Sequence, residues 1–199
     1  MKKIVVATKN KGKIREMMKA FAGLEVELVP LSEFGELPDA EENGATFSEN
    51  AFAKAEFYMK QTNTACLADD SGLEIDVLDG APGVYSARFA GFHADDEANN
   101  EKMREELRAH NVKESKAAYK CVLSFVDING EKLEAEGSCE GVVRDAAPKG
   151  EGGFGYDPYF YIADDKTMAE LSLEEKDAVS HRGKALRIMG NLLGNYLKF

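Results

Sequence analysis

Between Cys66 and Asp76 the chain reads Cys-Leu-Ala-Asp-Asp-Ser-Gly-Leu-Glu-Ile-Asp, which sets four acids within eight positions behind a short apolar lead-in. An apolar run that enters Asp-Asp-Ser-Gly predicts a buried strand ending at a tight turn. Open α/β sheets place their chemistry at strand ends that face a cleft. Side chains alternate across an extended chain, so Asp69 and Asp70 point to opposite faces and one of them is expected to serve a site. A carboxylate there can hold Mg²⁺, which favours oxygen ligands and retains water, or can act as a general base. Asp, Ser and Gly are also what solvated turns are made of, so this stretch alone fits an ordinary turn equally well.

The chain has 199 residues, 44% hydrophobic and 31% charged, which suits one well-packed domain spanning 1–199. Its 25 basic and 36 acidic residues leave a net charge of −11. That balance argues against a nucleic acid or an anionic membrane surface as partner, but allows a small phosphate ligand gripped by a local basic cluster. The cysteines, Cys66, Cys121 and Cys139, are odd in number and lack C-x-x-C spacing, so free buried thiols are expected rather than disulfides or a zinc site. The apolar run after Met1-Lys2-Lys3 is too short for a signal peptide or a membrane span, which makes a cytoplasmic protein the expectation.

A β-branched run over 3–7 predicts a strand, and the polar loop Thr8-Lys9-Asn10-Lys11-Gly12-Lys13 leads from it into the helical pattern of Ile14, Met17, Met18 and Phe21. A loop entering a helix N-terminus offers free backbone N–H groups and a positive dipole end, a plausible cradle for a triphosphate. No Walker motif is present, and the plainer reading is of surface lysines flanking a turn. A second strand is expected over 26–31, followed by a polar loop over 30–44 carrying Asp39, Glu41 and Glu42. Thr46 and Glu49 form a capping box that opens a helix on which Asn50 and Lys54 are four residues apart.

Residues 78–91 form a long Gly/Pro-rich loop, and Met103 with Leu107 predicts a surface helix over 94–110. Asn129-Gly130 between two apolar runs, 119–128 and 132–143, is a strong hairpin signal, so the sheet should be mixed. Residues 150–155 match the spacing G-x-G-x-x-G. A dinucleotide loop should open a helix, whereas a strand is expected over 157–162, so that reading is rejected. Phe154 instead offers a face on which a base can stack, and Asp157 an acceptor for a base or sugar, unless both Phe154 and Tyr156 are core aromatics. A capping box at Ser172 and Glu175 predicts a helix running to about residue 193, carrying Lys176, Ser180, His181, Arg182 and Lys184. Such donors suit phosphate oxygens or a purine carbonyl.

Taken in order, Thr8-x-Asn10-x-x-Lys13, Asn50-Ala51-x-x-Lys54-Ala55, Ala68-Asp69-Asp70-Ser71-Gly72-Leu73, Gly80-Ala81-Pro82-Gly83-x-Tyr85-Ser86-Ala87-Arg88, Gly153-Phe154-Gly155-Tyr156-Asp157-Pro158 and Ser180-His181-Arg182 make the chain resemble the inosine triphosphate pyrophosphatase family over nearly its whole length. The resemblance implies an α/β fold with a mixed central sheet flanked by helices, two lobes around a nucleotide-binding cleft, a homodimer and dependence on Mg²⁺. It implies hydrolysis of ITP, dITP and XTP to the monophosphate and pyrophosphate. Thr8, Lys9, Asn10, Lys11, Gly12 and Lys13 would hold the triphosphate. Asp70 would be the general base and, with Glu41, would hold Mg²⁺, while Ser71 would touch substrate. Phe154, Gly155, Tyr156, Asp157, Lys176, His181 and Arg182 would bind base, sugar and phosphates.

The residue types suit that chemistry. Cleavage between the α- and β-phosphates needs a positioned water, a base and positive charge on the phosphoryl oxygens, the last of these available from Lys13, Lys54 and Lys176. Ser71 lacks a Gly-x-Ser-x-Gly elbow and a nearby histidine, which argues against a serine hydrolase. Donors such as His181 and Arg182 facing a 6-oxo group would reject adenine, whose 6-amino group would leave them unpaired.

Overall fold

The computed structural model describes residues 1–91 and 95–198. The chain runs β1 (Lys2–Val6), α1 (Lys11–Ala20), β2 (Val26–Pro30), α2 (Phe47–Thr62), β3 (Ala65–Ile75), α3 (Asp96–Ala109), β4 (Glu114–Val126), β5 (Lys132–Arg144), β6 (Phe160–Ala163), β7 (Lys166–Thr167), α4 (Leu173–Val179) and α5 (His181–Tyr196). The sheet order is β2-β1-β3-β4-β5-β6-β7. β1 pairs in parallel with β2 and with β3, setting Ile4 opposite Ala65 and Val6 opposite Leu67. β6 pairs antiparallel with β5 and with β7. This is the mixed-sheet α/β fold expected from the sequence, with α1 and α2 as the crossovers that parallel neighbours require.

Two compact units divide the chain. The first comprises Met1–Asp70, Cys121–Gly137 and Arg182–Phe199, and the second Ser71–Lys120 and Ser138–His181. In the first unit β1 is buried on both faces. Ile4 and Val6 pack with Met17, Phe21, Leu67, Leu123, Phe125 and Met189, while Val5 and Ala7 pack with Leu31, Ala55, Tyr58, Cys66 and Ala68. That explains its continuous β-branched run, because neither face is left to water. The second unit closes around Leu73, Ile75, Met103, Leu107, Tyr119, Val143, Tyr156 and Phe160. The three cysteines are buried free thiols, and burial pushes those of Cys66 and Cys121 up to about 12.

Several elements depart from the sequence-based expectation. β3 does not end at Asp-Asp-Ser-Gly but continues through it to Ile75, with Asp69 and Asp70 only 1% and 8% exposed. Their charges are met by side chains instead of water, so the ladder need not break. Residues 157–162 are not one strand. A 3-10 turn occupies Asp157–Tyr159, where Pro158 suits a helical first turn, and β6 begins only at Phe160. The helix opened by Ser172 stops at Val179, because Ser180 is extended (φ −67°, ψ 154°), and α5 restarts at His181. Serine before a helix favours that backbone region. The surface helix is α3, Asp96–Ala109, and Ala94 lies outside the described residues. The long loop 78–91 contains a 3-10 helix, Gly83–Arg88, with the Arg88 guanidinium 5.1 Å from the Tyr85 ring.

Candidate active site

In the first unit, the loop after β1 is shaped by Asn10. Its side chain caps α1, with Oδ1 accepting from the N–H of Gly12 (2.8 Å) and of Lys13 (3.2 Å), while the Asn10 N–H donates to Thr8 Oγ1. From the first turn of the capped helix, Lys13 reaches β3, where its Nζ lies 2.6 Å from Asp69 Oδ2. Arg182, the second residue of α5, approaches the same oxygen with Nε at 3.7 Å and donates from Nη1 to Glu16 (3.2 Å). Lys54, from α2, donates to the Asp69 carbonyl (3.1 Å) and pairs with the Glu42 carboxylate. Asp69 thus organises three cations, two through its carboxylate and one through its backbone.

Asp70, next along the strand, has a different environment. Its Oδ2 accepts from Asn50 Nδ2 (3.1 Å), and Asn50 Oδ1 in turn accepts from the Gly44 N–H (2.7 Å). Burial raises the Asp70 carboxyl above the ordinary carboxylate range. Lys54 and the Asn50 hydrogen bond pull against this, and the charges of Glu42 and Asp69 add to it. Burial also disfavours the Asp69 anion, yet Lys13, Arg182 and Lys54 outweigh it and hold that carboxyl at about 2. Two adjacent acids are therefore set apart as a permanent anion and a more basic carboxylate, the arrangement expected when one of them accepts a proton. Beside them, Thr8, Lys9, Leu31, Asp39, Ala40, Glu42, Lys54 and Tyr58 line a cavity of about 260 Å³.

Among the described residues no three His, Cys, Asp or Glu side chains converge as a ready-made metal cage. Mg²⁺ does not need one, since it is commonly held by one or two carboxylates together with phosphate oxygens and water. The donor set fits. Glu42 and Asp70 are close enough for the charge of one to raise the proton affinity of the other, a repulsion that a divalent cation would relieve. Glu41 is exposed and accepts from Asn43 Nδ2 (3.1 Å), whereas Glu42 is the loop carboxylate beside Lys54.

The second unit gathers the remaining residues. Phe154 is 45% exposed, with Lys176 Nζ 4.9 Å from its ring centroid. Asp157 is buried, accepting at Oδ2 from the Phe154 N–H (3.0 Å) and Lys176 Nζ (2.6 Å), and at Oδ1 from the Tyr119 hydroxyl (3.1 Å). It frames the loop and is already well supplied with donors. Gly153 has φ +78°, and a Cβ there would meet Asp157 Oδ2 at 2.0 Å, so only glycine admits this turn. Gly155 is gripped from α3, its N–H donating to Asp96 (2.7 Å) and its carbonyl accepting from Asn100 (2.9 Å). The Tyr156 hydroxyl donates to the Ser86 carbonyl (2.8 Å). His181 is buried and stacked on Tyr119.

The structure brings Thr8, Lys13, Lys54 and Asp70 together, with Arg182 among the phosphate-type cations around Asp69. Lys9 is at the cavity rim, paired with Asp39 at 2.5 Å, and Lys11 is exposed. Gly12 and Ser71 are half-buried, Ser71 directly after Asp70 on β3. Sequence reasoning missed Asp69 as the anchor, and Glu16, Tyr119, Asp96 and Asn100 as supports, while Glu42 was visible as one of the acids of the 30–44 loop. Asn50 had a local signal, its i,i+4 spacing to Lys54.

Fold and site together define a mixed-sheet α/β protein whose third strand carries a buried centre of two carboxylates and three cations. The chain belongs to the Ham1 family, whose model matches residues 4–192. It is 48% identical to a dITP/XTP pyrophosphatase of Geobacter sulfurreducens, over 98% of each chain, and 47% identical to one of Bacillus anthracis, over 94% of each. A HAM1 protein from Coxiella burnetii superposes with a TM-score of 0.91 at 41% identity, covering 98% of this chain and all of that one.

Proposed function

We infer that this chain, acting as a single catalytic domain, hydrolyses the non-standard purine triphosphates ITP, dITP and XTP to the nucleoside monophosphate and pyrophosphate. The observation that carries the reading is the split between Asp69 and Asp70 on one strand, one held as an anion at about 2 and the other raised. The dITP/XTP pyrophosphatases of Geobacter sulfurreducens and Bacillus anthracis that the chain resembles support the same substrate class.

In this reading Lys13, Lys54 and Arg182 neutralise the phosphoryl oxygens, and the N-terminus of α1 with Thr8 seats the phosphate chain. Asp70 accepts the proton of the attacking water, aided by its raised proton affinity and oriented by Asn50. Asp70 and Glu42 would hold Mg²⁺, which when bound supplies Lewis-acid charge neutralisation on the phosphates. Phe154 would give the base a stacking face, and His181 would donate to a 6-oxo group. The reading carries with it a cytoplasmic homodimer that binds neither nucleic acid nor membrane, in keeping with the net charge of −11.

³¹P NMR of the protein with Mg²⁺ and ITP, beside ATP and GTP, tests it. Pyrophosphate and IMP from ITP, with ATP and GTP nearly untouched, is the expected result. Release of inorganic phosphate with a diphosphate product, equal rates on ATP, or binding of ITP without turnover would each overturn it.

A further inference from the structure

Tyr119 lies in β4 outside every segment that the reading above uses, yet it touches two of the residues assigned to the base. Its ring lies flat on the His181 imidazole, with centroids 4.8 Å apart and planes 14° apart, and packs tilted against Phe160 at 4.5 Å. Its hydroxyl donates to Asp157 Oδ1 at 3.1 Å. The other oxygen of that carboxylate holds the Phe154 N–H and Lys176 Nζ. A phenol buried to 7% exposure in an apolar cluster costs desolvation that phenylalanine would avoid, so the hydroxyl needs its partner. Burial, with the charge of Asp157 nearby, pushes its ionisation well above the usual phenol range, so it remains a donor at any working pH.

We propose that Tyr119 is a positioning residue for base selection: its ring sets the plane of His181, and its hydroxyl locks Asp157, and through it Phe154 and Lys176. The proposal rests on the reading that His181 and Phe154 contact the base. Its physical content is that one residue fixes both elements. His181 opens α5 directly after the extended Ser180, and the Tyr119 ring lies along one face of its imidazole. Without the Tyr119 bond Asp157 keeps the Phe154 N–H and Lys176 Nζ on Oδ2 but loses the contact that fixes Oδ1, so the carboxylate plane that orients both is less firmly set.

The test is steady-state kinetics of the full chain with ITP and ATP, comparing Tyr119→Phe and Tyr119→Leu with wild type. It is joined to NMR of the His181 ring protons, which are assignable in a chain with three histidines. Tyr119→Phe keeps the stack and removes one hydrogen bond, so KM for ITP should rise about fivefold to tenfold with kcat within about twofold. The upfield ring-current shift of His181 should be retained. Tyr119→Leu should also lose that shift and cut the preference for ITP over ATP, which carries a 6-amino group in place of the 6-oxo, by about tenfold.

Unchanged KM and preference in folded variants, even with a lowered Tm, would reduce Tyr119 to core packing and overturn the proposal. A fall in kcat at constant KM would overturn it as well. If Tyr119→Leu does not fold, the Tyr119→Phe arm decides alone. Wild-type protein that fails to turn over ITP defeats the functional reading itself, whereas normal wild-type turnover with indifferent variants defeats only the role of Tyr119.

Discussion

Asp69 and Asp70 are consecutive on β3, yet the first accepts the charge of Lys13 at 2.6 Å while the second accepts a hydrogen bond from Asn50 at 3.1 Å. The alternation of an extended strand sends them to different partners. Lys13, Arg182 and Lys54 hold the Asp69 carboxyl at about 2 against its burial, whereas burial raises that of Asp70 against the pull of Lys54 and Asn50. A site can thus keep a fixed anion to organise its cations and a basic carboxylate for proton transfer within a single dipeptide.

Asp70→Asn should remove the base while keeping shape and the Asn50 contact in a neutral form. We expect kcat for ITP hydrolysis to fall about 10²- to 10⁴-fold, with an unchanged circular dichroism spectrum and retained ITP binding by calorimetry. Retained turnover would take the base role away from Asp70.

Asn50→Ala should move the pH profile. Its hydrogen bond favours the ionised form of Asp70, so removing it raises the Asp70 pKa further. The acid limb of kcat/KM should shift to higher pH, with the plateau rate less affected. A limb that stays in place or moves to lower pH would show that Asp70 is not the group titrating there.

Asp69→Asn should cost stability as well as activity, because it leaves Lys13 and the buried Arg182 without their shared anion. Removing one partner from a buried ion cluster typically costs about 3–5 kcal/mol, readable by urea unfolding. In the wild type, Asp69 titrates at about 2 folded and near its ordinary value unfolded. Its contribution is therefore complete above about pH 4 and is lost as pH falls toward 2, a change of about 2 kcal/mol. Asp70, with a raised folded pKa, acts in the opposite sense and offsets part of that loss. The component due to Asp69 should be missing from the acid unfolding curve of Asp69→Asn.

Glu42→Gln should raise the Mg²⁺ concentration for half-maximal activity by about tenfold, and Glu41→Gln should leave it nearly unchanged. Glu42 faces Lys54 and senses Asp70, whereas Glu41 is exposed beside Asn43. A Mg²⁺ titration of both variants checks this, and the reverse ranking would return the ligand to Glu41.

Much of the architecture was legible before any coordinates. The β-branched run at 3–7, the polar loop into α1, the capping boxes at Thr46 and Ser172 and the Asn129-Gly130 turn are short-range patterns, and each marks an element that the structure contains. The misreadings share a cause. Asp-Asp-Ser-Gly looked like a turn because a sequence lists acids without their counter-charges, and Lys13, Arg182 and Asn50 approach from 56, 113 and 20 residues away. The helix from Ser172 looked continuous because Ser180 carries no strong break signal of its own.

The sequence by itself determined the kind of chemistry. It determined an acidic strand, a basic loop at a helix start, a glycine-rich aromatic loop and a late Ser-His-Arg, because residue type and local spacing are written directly in the chain. Tertiary structure decided which member of each set does what. It made Asp69 the anchor and left Asp70 basic, put Glu42 rather than Glu41 beside Lys54, filled Asp157 with donors and laid Tyr119 against His181. Proton affinity and orientation depend on burial and on charges brought near by packing, and no local pattern carries either.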